Sequence, residues 1–332
     1  MIIIGGSGST GSSLLQAVLH RHPSVLAGQE TCLFIYPHLF RKWRRYKYFL
    51  LRRGVLGVKS TGWSLRNGAD LLHPDYGWER AGLERAIAQS PTFVDFVNRF
   101  FKKPLERKGA HIWVEKTPQN ACSFQTFLQA FPEGRVIHTL RDPYDTMASL
   151  LARGLNAWEA AGYYIYHAAT ALSACEHERY FQIRYEEMVS DPATALAPLF
   201  RFVGLQFDPA ILRPSEEELA NPLKLEGWNH SERGPIEKSS VGRFAHLPQD
   251  RQAEIIAALG VFKISDWHLA KHGIRHADCR SLCSALGYVH RETDPGPFIP
   301  QFRKYRWEDR MLRTRRLHPT HFLNYPGDIK KQ

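Results

Sequence analysis

The segment MIIIGGSGSTGSSLLQAVLHRHP, residues 1–23, opens the chain and decides how the rest is read. Ile2 to Gly5 is a short apolar run of strand type, and Leu14, Leu15, Val18 and Leu19 recur at helical spacing between Ser12 and Arg21. A glycine turn therefore joins a buried strand to an amphipathic helix, and such a turn offers backbone N–H groups and a helix N-terminus to an anion. Gly6, Gly8 and Gly11 spell G-x-G-x-x-G, as in a dinucleotide turn, while Gly6 to Ser13 spells a Walker A loop with Ser12 where the lysine belongs. A glycine turn that binds nothing is the third reading. Without the lysine that neutralises β and γ phosphates, the loop suits a smaller anionic head than a triphosphate. The dinucleotide reading asks for an acidic residue about 20 positions on, where Glu30 stands. Against it, Val25 to Ala27 is a weak strand and Gly28 is turn-like.

Outward from this segment, apolar strands alternate with amphipathic helices, a pattern that favours a parallel α/β sheet. HIWVE (residues 111–115), RVIHTL (135–140) and FQIRY (181–185) are the further strands. After the first of them, Thr117 as N-cap and Pro118 at the first turn open a helix; Asp142 and Pro143 do the same after the second. Helices follow from Ala193 to Val203 and around Arg251 to Leu259, with a turn-rich segment from Asn221 to Phe244 between them. The fold class is α/β: a P-loop-like parallel sheet flanked by helices, with a helical aromatic and basic insertion over about residues 34–109 and a C-terminal extension. Within the insertion, Phe93, Val97, Phe100 and Phe101 share one helix face. One domain over 1–270, with 271–332 packed on it, is the expected organisation.

The 332 residues, 43% of them hydrophobic, can bury a sizeable core. A net charge of +11 attracts anions, and its excess lies in RKWRRYKYFLLRR (41–53) and RKYRWEDRMLRTRRLH (303–318). Aromatics interleave with both runs, yet no nucleic-acid module accompanies them, so no nucleic-acid partner is expected. No apolar run approaches the roughly 20 residues that span a bilayer, which makes the cytoplasm the expected location. Five cysteines at irregular spacing read as reduced thiols. His272, His276, Cys279 and Cys283 are metal-ligand types at helical offsets. On one helix they form a stripe about 16 Å long, too long to close around one ion, and only a break at Gly273 or a bend would let them converge, so no metal site is expected.

A second anion site is suggested by Arg141, which follows a buried strand, and by Ser149, one face along the next helix. A guanidinium fork and a hydroxyl there suit a second phosphate. A local Arg141–Asp142 ion pair and a Walker B carboxylate at Asp142 are the competing readings.

Together, GSGSTGSSLLQAVLHRHP, GQET, WVEKTP, VIHTLRDPYDTMAS, RYEEMVSDP and KSSVGRF resemble, in order, the sulfotransferases that use 3′-phosphoadenosine 5′-phosphosulfate (PAPS). The resemblance covers most of residues 1–250 and is nearest to the branch of tyrosylprotein sulfotransferases and bacterial members, because histidine-proline and then GQET follow the first helix. It implies that the Gly6–Ser13 loop, with Gly8, Ser9, Thr10, Gly11, Ser12 and Ser13, holds the 5′-phosphosulfate. It implies that Arg141 and Ser149, joined by Arg243, hold the 3′-phosphate. Glu30 falls at the general base and Lys116 at the cation near the transferring sulfuryl group, with Glu115 orienting Lys116. No metal is implied. The acceptor is a hydroxyl or amine compound whose class the motifs leave open, and the basic runs hint at an anionic one. One departure stands out. The branch reads P-R-S-G-T-T, and here Gly8 and Ser9 replace its proline and arginine, so Lys116 acts alone or Lys59 or Lys238 makes up the missing cation. A binding protein for anionic polymers or nucleotides, and a magnesium-dependent P-loop phosphotransferase, are the alternative functions.

Overall fold

The computed structural model describes residues 1–28, 30–35, 37–47, 76–216, 218 and 236–292, together with the Glu30 contacts given below. The expectations for Lys59, for the turn-rich residues 221–235, for the end of the first basic run and for all of the second lie outside these residues.

Strand β1 (Ile2–Gly6) leads into α1 (Ser12–His20), and β2 (Val25–Ala27) follows. Helices α2 (Pro37–Tyr46), α3 (Arg80–Gln89) and α4 (Phe93–Lys108) precede β3 (Ile112–Lys116). Then come α5 (Phe124–Ala130), β4 (Arg135–Leu140), α6 (Pro143–Ala152), α7 (Ala157–Leu172) and β5 (Tyr180–Arg184). Helices α8 (Tyr185–Ser190), α9 (Pro192–Phe202), α10 (Gln249–Val261), α11 (Asp266–His272) and α12 (Cys279–Leu286) complete the described part.

The strands form one parallel sheet in the order β2-β3-β1-β4-β5. β1 lies between β3 and β4, with Ile2 level with Val114 on one side and Arg135 on the other. Because side chains alternate along a strand, Ile2 and Ile4 enter a core with α1 and α9, while Ile3 enters an aromatic core on the opposite face. Burial on both faces accounts for the unbroken apolar reading of these strands.

The aromatic core is built by the segment read as an insertion. Neighbouring parallel strands need a crossover of a dozen residues or more, and in its described part the 34–109 stretch is that connection between β2 and β3. Its helix α4 starts from a capping box in which Thr92 and Asp95 bond each other's backbone N–H. The buried face of α4 presses Phe101 onto Trp113 of β3, rings stacked with centroids 4.3 Å apart. Phe34 stacks on Trp113 at 5.6 Å.

Two local expectations are corrected. Thr117 stands at the N-cap with Pro118 next, but its hydroxyl donates to Glu115 Oε1 at 2.7 Å and not to the helix, which opens as a 3-10 helix over Pro118–Ser123. The stripe from His272 to Cys283 is not one helix, because α11 ends at Gly273 with φ 61° and α12 starts only at Cys279. Gly273 is the left-handed C-cap that glycine supplies most readily. Asp142, by contrast, caps α6 as expected and accepts from Tyr144 N and Asp145 N at 2.9 and 3.0 Å. Among the described residues, no helix is long and apolar enough to cross a membrane.

Two histidines lie wholly inside this packing. Burial pushes His138 of β4 down to about 3 and His167 of α7 down to about 4, so both rings stay neutral in the fold and gain protons only on unfolding. Their contribution is complete above the ordinary value of 6.5 and is lost as pH falls toward those numbers. Each should add about 1.4 kcal/mol per pH unit to the acid-side slope of unfolding free energy. Urea unfolding between about pH 6 and pH 4.5 should give His138→Gln a slope shallower by about that amount than wild type. Equal slopes would mean that the native ring already exchanges protons with solvent.

Candidate functional site

Three neighbouring strands, β3, β1 and β4, end side by side, and each carboxyl end delivers one part of the site. Open α/β sheets bind ligands at this edge. β1 delivers the glycine loop. Gly11 caps α1 with φ 84°, and a Cβ there would stand 2.6 Å from the Tyr185 ring, so both backbone angle and space call for glycine. Ser9 also takes a left-handed φ, 65°. Ser12 and Ser13 form the first turn of α1, where backbone N–H groups lack helical partners. Gly8 packs against Tyr163. Thr10 is the loop residue whose side chain turns inward: its hydroxyl donates to Ser7 O at 2.7 Å and meets Thr139 Oγ1 at 2.8 Å. It shapes the loop and leaves only its backbone for a ligand.

β4 delivers Arg141, which is 3% exposed. Its Nη1 donates to Ser9 O at 3.0 Å and to Ser149 Oγ at 2.9 Å, its Nη2 donates to Ser240 O, and its guanidinium lies over the Tyr185 ring. Arg243 reaches the same Ser149 hydroxyl from the other side, at 3.2 Å. The structure thus brings together Arg141, Ser149 and Arg243 from two distant parts of the chain. The Arg141 Nε–H is buried and has no hydrogen-bond partner among the described residues. Asp145 holds the Arg243 loop in place, accepting from Gly242 N at 2.7 Å and Phe244 N at 2.8 Å. The Arg141–Asp142 ion pair is not what forms; the carboxylate beside Arg141 is Asp145, at 3.9 Å.

β3 delivers Lys116, 1% exposed, whose Nζ lies 2.5 Å from Glu30 Oε1. A buried ammonium needs such a partner, since an uncompensated charge in the interior is costly. Glu115, the preceding residue, points to the other face of the strand and does different work from that expected. Instead of orienting Lys116, it fastens the loop that carries Glu30: its carboxylate accepts from Thr31 N and Thr31 Oγ1, both at 2.9 Å. Thr117 Oγ1 and Asn120 Nδ2 complete its shell at 2.7 and 2.6 Å. Burial pushes this carboxyl above the usual carboxylate range, and the surrounding donors pull it back.

Another cation reaches the loop from a distant part of the chain. Arg153, at the C-cap of α6, donates from Nη1 to Ser9 Oγ at 2.9 Å. Lys238 is exposed, with Asp191 among the charges near it. Arg153 also lies near Tyr163, which burial and the Glu30 charge push above the ordinary phenol range. Sequence reasoning missed Arg153, Asp145 and the role of Glu115. For Arg153 the available signal was the segment RDPYDTMASLLARGLNA itself, in which an arginine sits one helix length beyond Arg141.

With this geometry in hand, comparison with known proteins gives one family. Residues 2–209 match the sulfotransferase family, and the chain belongs to it. Among solved structures, the sulfotransferase domain of the Synechococcus PCC 7002 olefin synthase superposes with a TM-score of 0.53 at 18% identity, covering 78% of this chain and 92% of that one. The sulfotransferase domain from the curacin biosynthetic pathway superposes with a TM-score of 0.56 at 18% identity, covering 88% and 98%. At that identity the likeness is one of fold. No curated protein sequence matches the chain.

Asp145 makes two backbone hydrogen bonds to the Arg243 loop. Asp145→Ala should cost about 1–3 kcal/mol and release the Gly242 and Phe244 amides to fast hydrogen exchange while the β1 and β4 amides stay protected. Unchanged protection of those two amides would mean that the loop is held by its other contacts.

Proposed function

We propose that the chain transfers the sulfuryl group of PAPS to a hydroxyl or amine of an acceptor. The observation that carries this reading is the pairing of two anion-binding sets across one sheet edge: Arg141, Ser149 and Arg243 on one side, the glycine loop with Arg153 and Lys116 on the other. The donor set fits a nucleotide with phosphate at both positions. Two guanidiniums converge on one hydroxyl, and a buried Nε–H is left without a partner among the described residues, which suits a phosphate dianion. PAPS supplies an activated sulfuryl group on a 5′-phosphate leaving group. Residues Gly8 to Ser13 hold that end through backbone N–H groups and the start of α1. Arg141, Ser149 and Arg243 hold the 3′-phosphate.

In the reaction the acceptor loses a proton while negative charge grows on the leaving oxygen. Glu30 takes the proton as general base. Lys116 and Arg153 offset the growing charge from fixed positions, so little reorganisation is needed as it develops. Arg153 fills the role that an arginine inside the loop has in the branch this chain resembles. A Walker-type phosphotransferase lacks its lysine here, and binding of anionic polymers needs neither Glu30 nor the Arg141 cluster. Four exposed cations on α2, namely Arg41, Lys42, Arg44 and Arg45, favour an anionic acceptor.

Thermal unfolding with 3′-phosphoadenosine 5′-phosphate, set beside ATP with magnesium, NAD and AMP, tests the donor assignment. Saturation at 100 times the dissociation constant should stabilise the fold by about 2.7 kcal/mol, for the 3′,5′-bisphosphate alone. A preference for ATP or NAD would overturn the reading. Arg141→Ala should weaken the bisphosphate by roughly 10- to 100-fold and AMP far less; equal losses would remove Arg141 from the 3′-phosphate.

The chemical roles have their own test. Glu30→Gln should lower kcat by about 10²- to 10⁴-fold with bisphosphate affinity intact. Arg153→Ala should lower kcat on the order of 10²-fold, more than it weakens the bisphosphate. A variant at either position that keeps its kcat takes no part in the transfer.

A further inference from the structure

The last described segment gathers metal-binding chemistry that the transferase reading does not use. α12 begins at Cys279, and Cys283 falls one turn later on the same face, since residues four apart stack along a helix. Both side chains are buried, and their sulfurs stand 3.7 Å apart without a disulfide. A tetrahedral site with zinc–sulfur bonds of about 2.3 Å sets two thiolates about 3.8 Å apart. The pair therefore already has the separation of two ligands on one ion. α12 stops at Gly287, whose φ of 68° turns the chain back. The return brings one ring nitrogen of His290 within 4.8 Å of both sulfurs. His290 Nδ1 lies 3.5 Å from the Tyr144 hydroxyl, which in turn accepts from Arg291 N at 2.6 Å.

We propose that Cys279, Cys283 and His290 bind one thiophilic divalent metal ion, Zn²⁺ foremost, with solvent in the fourth position. Two thiolates and a neutral imidazole around a dication sum to zero charge, which a largely buried site favours. On binding, both thiols release their protons to solvent, two metal–sulfur bonds and one metal–nitrogen bond form, and no electron changes hands. Soft sulfur and imidazole select zinc-like ions over magnesium and calcium, which take oxygen ligands. All three ligands lie beyond the break at Gly273. His272 and His276, which a continuous helix would have aligned with the cysteines, take no part, and His290 supplies the nitrogen instead.

The site would tie the chain after α12 to Tyr144 in the first turn of α6, one residue from Asp145 and its hold on the Arg243 loop. A metal there is a fastening for that loop from behind. The proposal rests on these residues alone and stands whether or not the chain transfers sulfuryl groups.

The test uses the full chain, reduced and freed of metal, titrated with Co²⁺ and then with Zn²⁺. One equivalent of Co²⁺ should produce thiolate-to-metal charge transfer in the near ultraviolet and the strong visible bands of a tetrahedral ion, both bleached by one equivalent of Zn²⁺. His290→Gln, at a half-buried position, should keep the fold and weaken binding by about 10-fold or more, and Cys283→Ser by about 100-fold or more. Cys175→Ser, at an exposed cysteine, should bind as wild type does. Wild-type protein without the charge-transfer band in excess Co²⁺ overturns the proposal. So does Cys283→Ser with the full band, or a native protein that holds a Cys279–Cys283 disulfide and no metal.

Discussion

A carboxylate sealed inside the sheet holds the ends of three strands to one another. Glu115 of β3 accepts from Thr31, beyond β2, and from Asn120, whose amide also donates to Ile4 O of β1 at 3.0 Å. An acid so placed is tolerable only while its oxygens are met by donors, because desolvation without compensation costs several kcal/mol. The constraint runs in both directions. The donors satisfy the acid, and the acid fixes where Thr31, and so Glu30, can lie. Lys116 emerges from the opposite side of the same strand and meets Glu30 within hydrogen-bond distance. The proposed base is positioned by a residue that touches neither reactant.

The other half of the site follows the same logic with a different acid. Asp145 lies one turn into α6 and holds two successive parts of the loop that carries Arg243. Arg141 and Arg243 are thereby kept against a common hydroxyl despite their like charge. Two buried carboxylates thus set the geometry at the sheet edge, Glu115 that of the loop carrying Glu30 and Asp145 that of Arg141 and Arg243.

Much of this was legible in the chain itself, for physical reasons. Parallel strands buried on both faces are apolar runs, so β1, β3 and β4 stand out. Asp142 before Pro143 is a cap and a fixed φ in succession, and α6 begins there. The Arg141, Ser149 and Arg243 grouping followed from ordered motifs. What stayed hidden depends on contacts distant in sequence. Arg153 reads as a solvated helix-end arginine until Ser9 is folded beneath it. Glu115 reads as a neighbour of Lys116 until strand alternation sends the two side chains to opposite faces. At Gly273 a local signal was present, since a glycine after a basic last turn is a common helix stop, and Lys271 and His272 precede it.

The bond from Arg153 to Ser9 has a consequence for how such loops are found. Here one positive charge at the glycine loop is imported from the far end of α6, 144 positions along the chain. The loop's own residues carry no cation between Gly5 and Leu19. A fragment ending before α6 would keep every glycine and lose the Arg153 contact to Ser9, so the glycine signature would survive without that cation. A search keyed to a contiguous charged motif would pass over such a chain, whose loop and cation lie in separate places and are matched only by ordered motifs spread along the sequence.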